Sequence, residues 1–151
     1  MEILVISDTH NAVSNAVNLI KRLNPDYVIH LGDMCEDCKK LEQLFPRKVI
    51  ISVKGNNDFF DKSYPLERCF ELGGKKIFMC HGHKYNVKMS LMPLIYKGKE
   101  LEADIVLFGH THCSFLEDVD GITVMNPGSI GTYGILSLND GKVKASIEKY
   151  V

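Results

Sequence analysis

The chain opens Met1-Glu2-Ile3-Leu4-Val5-Ile6-Ser7-Asp8-Thr9-His10, an unbroken apolar run of four that stops on hydroxyls, a carboxylate and an imidazole. Four apolar residues without alternation suit a strand covered on both faces. The run is far too short for a signal-peptide core or a membrane span, and no other stretch approaches that length. Val13, Ala16, Val17, Ile20 and Leu23 then recur at helical spacing, and Asn24-Pro25 stops the helix. Tyr27 to Leu31 is the next strand. Leu41, Leu44 and Phe45 mark a short helix ended by Pro46, and Val49 to Val53 is a third run. Strands joined by helices predict parallel neighbours in one sheet.

The second half changes character. Arg68 to Leu72 and Lys75 to Cys80 flank Gly73-Gly74, the positive-φ pair that a tight hairpin requires. A helix is expected from about Ser90, with Pro93 tolerated in its first turn. Ile105 to Phe108 is another buried strand. Three or four further strands are punctuated by Asp120-Gly121, Pro127-Gly128 and Asp140-Gly141. No repeat, low-complexity tract or linker interrupts the 151 residues, so the pattern predicts a single α/β domain over 1–151 with a mixed pair of sheets and helices outside.

Composition narrows the class. Charged residues make up 25% with a formal net charge of -1, so no global field recruits nucleic acid or an acidic membrane. Five cysteines without framework spacing suit reduced thiols and a cytoplasmic location. Cys35 and Cys38 form one C-x-x-C, but no second pair matches it at zinc-site spacing. Its neighbours Glu36 and Asp37 are acidic, the wrong surroundings for a low-pKa redox thiol. The pair reads as two thiols at the start of a helix.

The informative polar residues all follow apolar strands. Asp8-Thr9-His10 follows the first, Gly32-Asp33 the second and Gly55-Asn56-Asn57-Asp58 the third; His81-Gly82-His83 follows the hairpin and Gly109-His110-Thr111-His112 the strand ending at Phe108. Carboxyl ends of strands are where α/β sheets bind ligands. In Asp-x-His an extended chain would point both side chains the same way, and Gly-His-x-His would repeat that geometry with two imidazoles. Singly, each motif has a structural reading: a helix cap, a turn, a satisfied histidine at a sheet edge. Five in order, each at a strand end, point instead to metal binding. Mixed oxygen and nitrogen donors without thiolate favour manganese, iron, zinc or nickel over calcium or a structural zinc. Asp8, His10, Asp33, Asn56, His81, His110 and His112 are too many for one tetrahedral ion but suffice for two divalent ions sharing a carboxylate. Such a pair, about 3.5–4 Å apart, makes hydroxide available near neutral pH for in-line attack on phosphorus. In this reading Asn56 serves twice, through its carbonyl to a metal and its NH₂ to a phosphate oxygen.

Asp-x-His, Gly-Asp, Gly-Asn-x-Asp, His-Gly-His and Gly-His-Thr-His, taken in order from residue 3 to about residue 138, resemble the signature of the calcineurin-like metallophosphoesterases. The run Asn126-Pro127-Gly128-Ser129 is similar to one in their compact single-domain phosphodiesterase branch. The resemblance implies a four-layer α/β/β/α sandwich. It implies a first metal on Asp8, His10 and His112, a second on Asn56, His81 and His110, and Asp33 bridging. It also implies manganese as the activating ion, with nickel, magnesium or zinc accepted. Many relatives carry a leaving-group acid directly after the metal-binding asparagine. That position is Asn57 here, which leaves His83 as the candidate catalytic acid; the alternative is that His83 only hydrogen-bonds a ligand or loop. Relatives often carry an arginine soon after the Pro-Gly-Ser run, whereas this chain has Ile130-Gly131-Thr132-Tyr133. Asp58 is expected to shape the turn that aims Asn56, and His30 to pack rather than ligate.

The expected activity is hydrolysis of a small phosphodiester. The alternative is a non-catalytic protein-binding scaffold of the same fold, whose branch has lost part of the metal set that is complete here. Substrate choice falls to the loops 59–65 and 84–92, and exposed edge strands leave room for a homodimer.

Overall fold

Along β1 (Glu2–Ile6) Ile3 and Val5 face one way and Leu4 and Ile6 the other, and every one of the four is buried. That alternation sets the layering. In the computed structural model, which describes residues 1–10, 12–58, 60–129 and 131–150, Ile3 and Val5 join a core shared with a second sheet. Leu4 and Ile6 pack with Ala16, Leu19 and Ile20 of α1 (Val13–Leu23) and Leu41 of α2 (Cys35–Leu44). Phe59 and Ile130 lie outside the described residues.

The first sheet has the order β10-β9-β1-β2-β3, adding β2 (Tyr27–His30), β3 (Val49–Ser52), β9 (Thr132–Asn139) and β10 (Lys142–Lys149). β1, β2 and β3 run parallel, and β9 is antiparallel to β1. The second sheet has the order β4-β5-β6-β8-β7, from β4 (Glu67–Leu72), β5 (Lys75–Cys80), β6 (Ile105–Leu107), β7 (Phe115–Val119) and β8 (Ile122–Asn126). Ile77, Met79, Leu107 and Met125 meet the first sheet across the central core. The opposite face, with Phe78, Val106 and Val124, packs on Leu94 and Ile95 of α3 (Met92–Glu100). The result is the expected stack of helix, sheet, sheet and helix.

Most local expectations were met, with departures at a sheet edge and on two helices. Gly73 and Gly74 have φ of 58° and 77° and close the β4–β5 hairpin between paired Leu72 and Lys75. β3 opens with three apolar residues, yet Val49 is 50% exposed because β3 is an edge strand. Leu44, expected on the apolar face of α2, is 59% exposed; Leu41 is the residue that reaches the core. α3 begins at Met92, two residues later than expected, with Pro93 in its first turn.

One buried carboxylate ties the loops after β2 and β3 together. Asp58, on a 3₁₀ turn over Asn56–Asp58, accepts backbone N–H bonds from Asp33 (2.9 Å) and Gly55 (2.8 Å) on Oδ2 and from Cys35 (2.8 Å) on Oδ1. The loops approach so closely that a Cβ on Gly55 would lie 2.1 Å from Asp33 Oδ1. Removing the Asp58 acceptor strands three N–H groups, each costing about 1–3 kcal/mol where water cannot reach it. Asp58→Ala is therefore expected to destabilise the protein by ~3 kcal/mol, a fall in melting temperature of roughly 6–12 °C for a chain of this size. A thermal melt within a degree of the parent would contradict this stitching role.

Candidate metal centre

The loops at the carboxyl ends of β1, β2, β5 and β6 bring six of the seven expected donors together. Ligand atoms of Asp8, His10, Asp33 and His112 all lie within 4.8 Å of one another. His81 Nε2 stands 3.4 Å from Asp33 Oδ2 and 3.7 Å from Asp8 Oδ1, and His110 Nδ1 is 3.3 Å from His81 Nε2. The seventh, Asn56, is exposed on the 3₁₀ turn beside the cluster, and no hydrogen bond among the described residues joins its side chain to the other six. Its neighbour Asn57 makes that contact: the Asn57 amide N–H donates to Asp33 Oδ1 (3.0 Å) and its Nδ2 to Asp33 Oδ2 (2.8 Å).

The backbone at these donors departs from the extended geometry expected of Asp-x-His and Gly-His-x-His. Asp8, His10, Asp33, His110 and His112 all have positive φ, between 46° and 70°. The left-handed conformation costs an L-residue about 1–2 kcal/mol. The chain turns back at each strand end rather than running on, and this tight turning, not strand alternation, converges the side chains. The surrounding structure holds the turns. Ser7 Oγ donates to Asp8 Oδ2 (2.5 Å), as does the His110 amide (3.1 Å). Fully buried Asn126 donates to Gly109 O (3.0 Å) and Thr111 Oγ1 (2.9 Å), and Ser129 Oγ donates to Asp8 O (2.9 Å). The Asn126-Pro127-Gly128-Ser129 run thus braces both histidine and aspartate loops.

Protonation states follow from these contacts. His81 Nδ1 lies 2.7 Å from Leu31 O, so it carries a proton and donates, and Nε2 faces the carboxylates. Burial opposes a charge on His81, but its bond to Asp33 and the fields of Asp8 and Asp33 more than offset that and raise its pKa above the ordinary imidazole value. Burial works against ionisation of Asp33 too; the bonds from His81 and Asn57 overcome it and hold the carboxyl well below the usual range. His83 and His110 are both held below the ordinary imidazole value, by burial first and then by the charge of His81.

His30 packs, as expected. It is fully buried, and burial lowers its pKa to about 4, so it is neutral. The Gly32 amide donates to its Nδ1 (3.1 Å), which leaves the proton on Nε2, 3.1 Å from Thr9 Oγ1. Thr9 in turn donates to buried Asp37 (2.5 Å). This network fixes the residue between Asp8 and His10. All five cysteines are free thiols; Cys35 and Cys38 are buried, and burial pushes Cys38 up to about 12, the opposite of a redox pair.

Does this donor set fit a cation? Asp8 Oδ1 is buried yet accepts no hydrogen bond, because both donors go to Oδ2. It faces the Nε2 atoms of His112, His81 and His10 at 3.1, 3.7 and 3.9 Å. His10 Nε2 and His112 Nε2 point at each other across 3.4 Å. A bare buried oxygen ringed by imidazole nitrogens is what a divalent ion with oxygen and nitrogen donors satisfies. The residues fit such a group.

Of the residues that matter here, sequence reasoning missed Ser7, Asn57 and Asn126 as orienting groups. Ser7 and Asn57 are direct neighbours of expected donors, which was a usable signal; Asn126 lies fifteen or more residues away from the loop it braces.

Comparison with known proteins agrees with the geometry. Residues 1–141 match the model of the calcineurin-like phosphoesterase superfamily domain. A probable metallophosphoesterase of Bacillus subtilis, YsnB, is 34% identical over 93% of this chain and 86% of its own. A phosphodiesterase of Methanocaldococcus jannaschii, MJ0936, is 31% identical over 90% of this chain and 92% of its own. The crystal structure of wild-type Vps29 from Entamoeba histolytica complexed with Zn²⁺ superimposes with a TM-score of 0.78 at 25% identity, over all of both chains. With its family model matched over nearly the whole length, and with homologues of equal span, the chain belongs to the calcineurin-like phosphoesterase superfamily.

Proposed function

We propose that the protein is a two-metal phosphodiesterase that hydrolyses small phosphodiesters. The observation that carries this reading is Asp8 Oδ1, buried, without a hydrogen bond, and faced by three imidazole nitrogens. Asp8, His10 and His112 would hold one divalent ion and His81, His110 and Asn56 the other, with Asp33 shared; manganese is the proposed ion. When bound, such a pair supplies Lewis acidity and a hydroxide nucleophile at neutral pH.

The chain's own residues set up the rest. Leu31 O holds the Nδ1 proton of His81, so that Nε2 is the nitrogen turned to the site, and the proton that the carboxylates favour there would leave as an ion binds. Asn57 holds both oxygens of Asp33 and so sets the plane of the shared carboxylate. Ser7 and the His110 amide occupy Asp8 Oδ2 and direct Oδ1 inward. Two carboxylates against four metal charges leave the site net positive, which favours a phosphate oxyanion and the charge that develops on it. Asn56, exposed beside the cluster, offers its NH₂ to a phosphate oxygen. His83 lies with its ring centroid 5.5 Å from that of His81 and 6.1 Å from that of His110. With its pKa lowered it is neutral near pH 7, so its role is to donate an N–H hydrogen bond to the leaving oxygen rather than to act as an imidazolium acid.

The second reading is a protein-binding scaffold, which the likeness to Vps29 motivates. One assay separates the two. Metal-depleted protein should be inert toward bis(p-nitrophenyl) phosphate and recover with manganese or a similar ion. Asp33→Asn and His112→Ala should each lose more than the ~100-fold that removal of an outer-sphere partner costs. Protein that stays inert with every divalent ion supports the scaffold instead. The same protein should prefer a diester, and a higher rate on p-nitrophenyl phosphate than on bis(p-nitrophenyl) phosphate would contradict that preference.

A further inference from the structure

Beside the cluster lies a groove along the loop that carries His83. Its inner part, about 180 Å³, is lined by Lys54, Gly55, Asn56, Leu66, His83 and Lys84. A larger outer part, about 490 Å³, shares Leu66, His83 and Lys84 and adds Glu67, Cys80 and Tyr85. At their junction His83 Nδ1 is buried and has no hydrogen-bond partner. The outer part is of the size that takes a nucleoside-sized organic group. Its walls suit one: the Leu66 side chain, the Tyr85 ring held edge-on against Phe78, and the aliphatic stem of Lys84.

The charges in this groove do not cancel. Glu67 is its one carboxylate among the described residues, and Tyr85 Oη donates to it at 2.6 Å. Lys54 Nζ is anchored by the backbone carbonyl of Asp61 at 3.2 Å, and the Asp61 carboxylate is taken by Lys39 at 2.9 Å. Neither Lys54 nor Lys84 forms an ion pair among the described residues. A simple phosphodiester has one negative charge, and in the proposed function the metals take it. The two ammonium groups on the groove's walls are then surplus to the scissile phosphate. Their complement is a second anion.

We propose that this groove binds one ester arm of the substrate, and that the arm carries a phosphate seated between Lys54 and Lys84. The substrate class is accordingly a phosphodiester of an organic alcohol that is itself phosphorylated. As a substrate class this rests on the phosphoesterase reading above; as an anion site it stands on the groove alone.

A matched pair of reporter esters tests it: thymidine 5′-(p-nitrophenyl phosphate) with a free 3′-hydroxyl, and the same compound bearing a 3′-phosphate. Both release p-nitrophenolate, so they differ only in the second anion. With manganese-loaded protein the 3′-phosphate compound is expected to show kcat/KM about tenfold higher, expressed in KM, with the advantage shrinking as salt rises. The Lys54→Ala/Lys84→Ala double variant should bring the ratio to about one, while Lys54→Arg/Lys84→Arg keeps it. Equal rates on the two esters, or a preference that survives the double alanine variant, would overturn the assignment. Calorimetric titration with thymidine 3′,5′-bisphosphate against thymidine 5′-monophosphate gives a readout without turnover. Lysine-dependent preference for the bisphosphate in a protein inert to every ester would remove the phosphoesterase reading and the substrate class with it, leaving the anion site. Hydrolysis with no discrimination in either assay removes the groove alone.

Discussion

Two carboxylates, Asp8 and Asp33, are buried side by side where the two sheets meet, with ligand atoms less than 4.8 Å apart. Like charges at that range in a poorly screened interior repel by several kcal/mol, so the arrangement demands positive charge between them. The surroundings answer with imidazoles rather than with lysine or arginine. His81 is fully buried among them, and its bond to Asp33 and the charges of both carboxylates favour its protonated form. One bare carboxylate oxygen, Asp8 Oδ1, faced by imidazole nitrogens makes a site for a cation rather than a salt bridge that closes on itself.

Meeting that demand shapes the loops. Five donors sit in left-handed backbone, a conformation that costs folding free energy and persists only where the rest of the structure enforces it. The enforcement comes from groups outside the cluster. Asp58 gathers three N–H groups, Asn126 grips the histidine loop, and the Thr9, His30 and Asp37 network fixes the turn between Asp8 and His10. The layered fold contributes the frame: parallel strands in each sheet deliver their carboxyl ends to one rim, so residues as far apart in sequence as 8 and 112 become neighbours.

Much of this was legible in the residues. The apolar runs, the Asn24-Pro25 stop and the Gly73-Gly74 turn are strong local signals, and the helices and strands followed them closely. The cluster was legible because Asp and His residues recurred at strand ends in short motifs. What escaped has physical causes. Edge position exposes Val49 and is set by strand order, which no local pattern encodes. Positive φ at Asp8 or His112 is imposed by distant hydrogen bonds, where sequence alone favoured extended chain. The hold of Asn57 on both oxygens of Asp33 comes from the 3₁₀ turn, which motif position does not encode.

The central claim is that these side chains cage a pair of cations. Anomalous diffraction from a crystal grown with manganese addresses it directly. The account predicts two peaks about 3.5–4 Å apart, one beside Asp8, His10 and His112, the other beside His81 and His110, with Asp33 between. A single peak, or none among these residues at saturating manganese, would contradict it.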